Sequence, residues 1–236
     1  MMVQLKNKKN KILIISCICL IVCVMGTTKW IKATKDVSHE EQKIIVAIDA
    51  GHGGFDPGKV GVNQAIEKDI NLSIAQKLKE ILKADGFEIV MTRESDEAVH
   101  SEGESTTTKR SDMRSRVARI NESGAKAAIS IHQNSFTDGS SHGAQVFYHP
   151  QSEEGKNMAL VLQAKIKEII ADDNHREAKA NESYYMLKKT ECPLVIVECG
   201  FLSNEQEANL LMTEEYQKKM AEAISQGLKK YLDTLT

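Results

Sequence analysis

Short continuous runs of apolar residues alternate along this chain with longer stretches in which apolar residues recur every three or four positions. Runs of four to six apolar and β-branched residues bounded by turn residues are typical of strands inside a sheet. The sequence predicts strands at 44–49, 87–92, 127–131, 144–148 and 194–198, with a weaker candidate at 184–188. The polar stretch 94–109 is expected to be a surface loop.

Helices are predicted between these strands. Residues 69–85 place Ile70, Ile74 and Leu78 on one face, and Gly86 follows as a helix stop signal. Further helices are predicted at 110–122, at 154–171 and from a Thr213 cap through Leu235. Because strands and helices alternate, we predict a single α/β domain with a mostly parallel or mixed central sheet flanked by helices on both faces.

The N-terminal residues have the pattern of an export signal. Four lysines, at positions 6, 8, 9 and 11, precede an uncharged apolar run at 12–26. The run is short for a membrane span and no clear cleavage site follows it, so a cleaved signal and a retained anchor both stay open. We predict a signal or anchor at 1–31, a linker at 32–43 and a catalytic domain at 44–236.

Composition narrows the range of partners. Beyond the four lysines the chain carries 27 Lys and Arg against 33 Asp and Glu, a net charge of −6, which disfavours nucleic-acid binding. Cys192 and Cys199 flank one apolar strand and are too far apart along an extended segment to bridge each other. No disulfide framework is predicted.

A histidine held between glycines follows the first strand, in the segment DAGHGGFDPG. The glycines let the backbone turn tightly around His52, as the presentation of a metal ligand requires. A phosphate-binding loop is disfavoured, because neither the GxxxxGK[ST] spacing nor a GxGxxG run is present.

Two further groups are candidates to join His52. His132 follows the apolar strand AAISI, and functional groups gather at the carboxyl ends of the strands in an α/β sheet. Glu67 lies near the start of the helix predicted at 69–85, where a carboxylate could simply favour the helix N-terminus. Together the three match the His₂Glu ligand set of catalytic zinc enzymes.

Glu198 is the candidate general base. It follows the apolar run PLVIV, and an ionised carboxylate after such a run is costly unless a nearby cation compensates for its burial. A strand-end glutamate that merely reaches solvent is the alternative. Beside a metal it could move a proton from the attacking water to the leaving nitrogen.

Four ordered segments, DAGHGGFDPG, EKDINL, SIHQNS and VECGFLSN, carry a family resemblance. Over nearly all of residues 43 to 233 the chain resembles the zinc-dependent N-acetylmuramoyl-L-alanine amidases of the type-3 amidase family. The resemblance implies zinc ligands at His52, Glu67 and His132, and a catalytic glutamate at Glu198. It also implies cleavage of the amide bond between the lactyl group of muramic acid and L-alanine of the peptidoglycan stem peptide.

The chain departs slightly from the family pattern. Gln133 stands where the family commonly has alanine. The segment CPLVIVECG also departs from the family, which often has a serine or threonine near these cysteines. Arg116 fits a family helix and is interpreted as structural. His142 and His149 bracket a predicted strand, but edge histidines are more often solvated or hydrogen-bonded than metal-bound.

Within the family, a short enzyme with an N-terminal anchor and no wall-binding repeats resembles the spore cortex amidases that prepare muramic-δ-lactam. The expected partners are peptidoglycan, the membrane through the N-terminal segment and an activating protein. The expected location is outside the cytoplasm, on the membrane or in the wall or cortex. The alternatives are a vegetative cell-separation amidase, a zinc peptidase on stem peptides and a non-catalytic wall-binding module.

Overall fold

A six-stranded sheet forms the centre of the molecule, in a computed structural model that describes residues 43–100, 108–171 and 173–235. These residues belong to one compact unit, Lys43–Thr236. The predicted signal or anchor and nearly all of the predicted linker lie outside the described residues. Within the described ranges, no helix is both long and apolar enough to cross a membrane.

The sheet is mixed, as predicted. Its strands are β1 Ile45–Ala50, β2 Glu88–Met91, β3 Ala127–Asn134, β4 Gln145–Tyr148, β5 Lys179–Ala180 and β6 Leu194–Phe201. Their spatial order is β2-β1-β3-β6-β4-β5. The first four in that order run parallel, and β4 joins β6 antiparallel. The carboxyl ends of β1, β3 and β6 therefore meet at one edge of the sheet.

The described ranges contain six helices. They are α1 Glu67–Ala84, α2 Lys109–Glu122, α3 Glu153–Ile170, α4 Tyr185–Lys189, α5 Glu205–Leu211 and α6 Glu214–Leu232. Two predicted boundary signals are confirmed. The Thr213 hydroxyl accepts the Tyr216 N–H and caps α6. Gly86 has φ of 93° just after α1, a conformation that glycine adopts at little cost.

The helices cover the two faces of the sheet unequally. One face packs against α1, α3 and α6 in a large apolar core that includes Ile48, Ile129 and Val197. The opposite face packs against α2 and α4 in a smaller cluster that includes Ala47 and Ile196. Because successive strand residues point to opposite faces, β1, β3, β4 and β6 contribute to both clusters. The α/β architecture with helices on both faces is confirmed.

The predicted strand at 184–188 is wrong, because this segment is the short helix α4. The Asn181 carboxamide accepts the N–H groups of Ser183 and Tyr184, which turns the chain just before the helix. Met186 and Leu187 pack beneath the sheet while the following lysines face outward. A short apolar run does not by itself distinguish a strand from a buried helical turn.

Three other parts of the chain differ from the prediction, namely the stretch 94–109 and the elements β5 and α5. The stretch 94–109 was expected to be a surface loop, but Ala98 and Val99 in its described part are buried and Lys109 already begins α2. Asp112 of α2 holds this segment in place, because its carboxylate accepts the Val99 N–H at 2.6 Å. The short elements β5 and α5 have too few residues to show a period.

Candidate active site

His52 lies in a tight turn directly after β1. Its backbone has φ of 61°, a left-handed conformation that is unusual for a residue with a side chain. Its Nδ1 lies 2.8 Å from Asp56 Oδ2, so the carboxylate fixes the orientation of the ring. The other ring nitrogen, Nε2, lies 3.2 Å from Glu67 Oε1.

Asp56 is itself held as an anion. Its other oxygen lies 2.7 Å from Lys109 Nζ. Burial alone would raise the pKa of Asp56, but the hydrogen bonds to Lys109 and His52 outweigh it and lower the pKa. The ring of His52 is therefore backed by a charged acceptor, the arrangement that orients histidine ligands in many metal sites.

Glu67 is the first residue of α1 and is almost fully buried. Its Oε2 accepts the Lys59 N–H at 2.8 Å, and its Oε1 accepts the Gln133 N–H at 3.1 Å. Burial raises the pKa of this carboxyl, but His132 and His52 together lower it well below its usual range. The carboxylate is therefore ionised and aimed at two imidazoles.

His132 completes the cluster from β3. Its Nδ1 lies 3.0 Å from Glu67 Oε1, and its ring meets the ring of His52 edge-on at 4.9 Å between centroids. Burial lowers the pKa of His132, but the hydrogen bond and charge of Glu67 raise it to about 9. The predicted position was slightly wrong, because His132 lies inside β3, which continues to Asn134.

Two glycines have no room for a side chain around this cluster. A Cβ at Gly51 would lie 2.3 Å from the His132 ring. A Cβ at Gly58 would lie 2.6 Å from Glu67 Oε2, and this residue also has φ of 70°. The glycine pattern around His52 therefore reflects close approach of the backbone to the cluster.

Glu198 lies beside this cluster on β6. It is the register partner of His132 across the parallel pair β3 and β6, and its side chain is 8% exposed. The sequence places it at a strand end, which is wrong, because β6 continues to Phe201. Among the described residues its Oε2 has no hydrogen-bond partner. Burial raises the pKa of Glu198 to about 7.

Behind the cluster lies a buried ion network that sequence reasoning identified only in part. Arg116 on α2 donates to Asp49 at 2.8 Å, to Asp112 at 2.6 Å and to the carbonyl of His52 at 2.5 Å. Burial raises the pKa of Asp49, but Arg116 and Ser130 outweigh it and lower the pKa to about 2. The structural interpretation of Arg116 fits these contacts. Asp49 was missed, although an acidic residue after the apolar run IIVAI is a visible signal.

His142, His149 and His175 do not belong to this cluster. His142 is exposed and its Nδ1 contacts the Ser140 carbonyl at 3.0 Å. The Nδ1 of His149 accepts the N–H of Gln151 at 3.3 Å. His175 is exposed beside Asp173, and His39 lies outside the described residues.

His52, Glu67 and His132 are the one group of three or more potential ligands that converges within the described ranges. Each offers one ligand atom, and the three atoms lie within 4.8 Å of one another. Two imidazole nitrogens and one carboxylate oxygen are a donor set suited to zinc, and three protein ligands leave a position for water. The residues thus form a potential metal-binding group.

Comparison with known proteins decides the family. The sequence profile of a family described as N-acetylmuramoyl-L-alanine amidase matches residues 46–230. This chain belongs to that family. It is an enzyme that acts on peptidoglycan, and its action is therefore extracytoplasmic.

Individual relatives of the amidase agree with this assignment. It is 36% identical over 189 residues to the germination-specific N-acetylmuramoyl-L-alanine amidase of Bacillus subtilis (strain 168), which covers 79% of each chain. Its structure matches the CwlD amidase of Clostridioides difficile, solved in complex with the GerS lipoprotein, with a TM-score of 0.75 and 38% identity over 81% of this chain and 100% of that one. It also matches the amidase AmiC2 of Nostoc punctiforme, with a TM-score of 0.71 and 32% identity over 80% and 97%.

Proposed function

We propose that the amidase holds a catalytic zinc ion through His52, Glu67 and His132. The observation that carries this proposal is the convergence of the three side chains from the turn after β1, from α1 and from β3. A buried carboxylate between two imidazoles is compensated well by a dication, which would also displace the proton that His132 retains because Glu67 raises its pKa to about 9. Zinc in such a site polarises a carbonyl and makes water nucleophilic near neutral pH.

Glu198 is proposed as the general base. Its free Oε2 can accept a proton from the attacking water, and the same oxygen can then give that proton to the leaving nitrogen of L-alanine. Its buried position raises its pKa to about 7, which keeps the carboxyl able to exchange protons near neutral pH. The bond cleaved is the amide between the lactyl group of N-acetylmuramic acid and L-alanine.

Spore cortex maturation is the proposed biological role. It is supported by the similarity to the germination-specific amidase of Bacillus subtilis and to the CwlD amidase. A vegetative cell-separation amidase is the alternative. Cortex peptidoglycan from a deletion strain distinguishes the two: loss of muramic-δ-lactam with normal cell separation supports the cortex role, and chains of unseparated cells with normal cortex contradict it.

The proposed location is the outer face of the cytoplasmic membrane. Residues 1–31 would act as a signal or anchor, 32–43 as a linker and 44–236 as the catalytic domain. The lysines before the apolar run favour a cytoplasmic N-terminus. Export of a reporter fused to residues 1–40 supports this arrangement, whereas cytoplasmic retention contradicts it.

An activating protein partner is also proposed. It is supported by the CwlD amidase of Clostridioides difficile, which was solved with the GerS lipoprotein. Affinity purification of the tagged full-length amidase from its own sporulating cells, followed by activity assay of the complex, tests this. A co-purifying protein that raises turnover supports the proposal, and full turnover of the isolated amidase contradicts it.

Product analysis tests the activity itself. Purified peptidoglycan fragments are incubated with the full-length amidase and zinc, and the products are read by mass spectrometry. Free stem peptides that begin at L-alanine are expected. Peptides cut internally would indicate the zinc peptidase alternative, and intact fragments would indicate a non-catalytic wall-binding module.

A further inference from the structure

Arg93, two residues after the end of β2, contacts two of the three segments that carry candidate ligands, those of His52 and Glu67. It is buried, with 1% of its surface exposed. Its Nε donates to the carbonyl of Ala50 at 2.9 Å, and its Nη2 donates to the carbonyl of Gly51 at 3.1 Å. These two carbonyls immediately precede His52, so the guanidinium holds the start of the turn that presents the ring.

The same guanidinium also holds the first turn of α1. Nη2 donates to the carbonyl of Lys68 at 2.8 Å, and Lys68 is the residue that follows Glu67. Nη1 donates to the carbonyl of Ser95 at 3.0 Å, so the guanidinium also holds the segment that follows Arg93 itself. One rigid planar group therefore joins the residues before His52 to the residue after Glu67.

The partners of Arg93 distinguish it from Arg116. Within the described ranges its four hydrogen bonds all go to backbone carbonyls, and one of them reaches Lys68 on α1. Arg116 also donates to the carbonyls of Ala50 and His52, but its remaining partners are the carboxylates of Asp49 and Asp112, and none of its described hydrogen bonds reaches α1. Carbonyls of three separate segments need a donor with several N–H groups in a fixed plane, and arginine alone among side chains provides that. The chain also leaves space for it, because a Cβ at Gly53 would lie 2.8 Å from Arg93 Cδ.

We propose that Arg93 is a positioning residue that sets the distance between His52 and Glu67 and so pre-forms the zinc site in the metal-free protein. In the structure, His52 Nε2 and Glu67 Oε1 lie 3.2 Å apart. The guanidinium touches neither side chain, so it acts through the backbone of each segment. This inference rests on the proposed zinc site.

Zinc affinity of the full-length protein tests the proposal. Arg93→Lys keeps the charge but places its three donors around one nitrogen, and Arg93→Gln supplies two donors without charge. Each variant is expected to weaken zinc binding by roughly 10- to 100-fold, the usual effect of losing a group that orients ligands. The dissociation constant is measured by competition with a chromophoric chelator, and visible absorption of the cobalt-substituted protein reports the ligand geometry.

Arg119→Lys is the matched control. Arg119 donates to the carbonyl of Thr92, one residue before Arg93, and its described hydrogen bond reaches neither ligand segment. The zinc affinity and the cobalt spectrum of the Arg119→Lys variant should equal those of the wild type. Circular dichroism and thermal unfolding of the zinc-free proteins are compared in parallel, and the Arg93 variants should retain a cooperative transition.

Three outcomes are decisive. Folded Arg93 variants with wild-type zinc affinity and cobalt spectrum would overturn the positioning role. Failure of both variants to fold would also overturn it, because Arg93 would then support the whole domain instead of one spacing. Absence of zinc binding in the wild type would instead contradict the proposed zinc site.

Discussion

The two faces of the central sheet are built from the same strands but differ in chemistry. On the face covered by α1, α3 and α6, residues such as Ile48, Ile129 and Val197 form a continuous apolar core. On the opposite face, the alternate residues change from apolar to polar toward the carboxyl ends of the strands. There β1 contributes Asp49 and β6 contributes Glu198, both buried.

The difference shows how one strand can serve two purposes. Because side chains alternate, the apolar residues anchor each strand while their immediate neighbours carry charge. Burial of a charge costs free energy even when it is paired, so a buried ion pair stabilises the fold less than its short contacts suggest. We infer that the apolar core supplies the rigidity and the polar face supplies the chemistry.

The largest expected effect comes from His52→Ala. Removing this imidazole leaves two of the three proposed ligands, and both bound zinc and amidase activity should fall to undetectable levels. Elemental analysis and release of stem peptides measure the two quantities. The exposed His142→Ala serves as the control and should retain both, whereas full zinc occupancy in His52→Ala would remove His52 from the ligand set.

Glu198→Gln, on the polar face, should lower catalysis without lowering zinc binding. The amide keeps the shape of the side chain but cannot accept the proton, so kcat should fall about 10²- to 10⁴-fold. Zinc content should stay at the wild-type level. If turnover were unchanged, the base would have to lie elsewhere, with Glu67 the first residue to test.

Ile129→Ala tests the apolar face in the same strand that carries His132. The free energy of unfolding should fall by about 2–5 kcal/mol, because a cavity opens among fully buried side chains. Amidase activity per folded molecule should change little. A loss of activity as large as that of Glu198→Gln, at temperatures where the variant is folded, would contradict the division between the faces.

The pH dependence of stability tests the buried Asp49. Its pKa of about 2 lies below the ordinary value of 3.8, so it stabilises the fold above about pH 4 and this contribution is lost as the pH falls through 2. The loss is about 2 kcal/mol. Denaturant unfolding between pH 4.5 and 2 should show a steeper decline in wild type than in Asp49→Asn. Parallel curves would show that the Arg116 pair does not depress this pKa.

The apolar pattern predicted the fold well because it records burial directly. Five strands and four helices lie near their expected positions, since long periodic runs must pack against the sheet. The start of α1 was misplaced by two residues because its N-cap, Ile66, makes no side-chain cap hydrogen bond. The helix α4 was mistaken for a strand because only its packing beneath the sheet distinguishes the two.

The candidate site could be predicted where the chemistry is local in sequence. The glycines around His52 and the apolar run before Glu198 each give a visible signal. The outer groups could not be predicted in the same way. Asp56 contacts His52 through a turn, and Arg93 reaches carbonyls more than twenty residues away. Such contacts depend on the tertiary fold, not on spacing.

The most direct test of the central claim is diffraction from crystals of the zinc-loaded amidase at wavelengths on either side of the zinc absorption edge. One strong anomalous peak is expected, about 2.0–2.2 Å from a nitrogen of His52, a nitrogen of His132 and a carboxylate oxygen of Glu67. A zinc peak at another position, or none in protein that cleaves peptidoglycan, would contradict it.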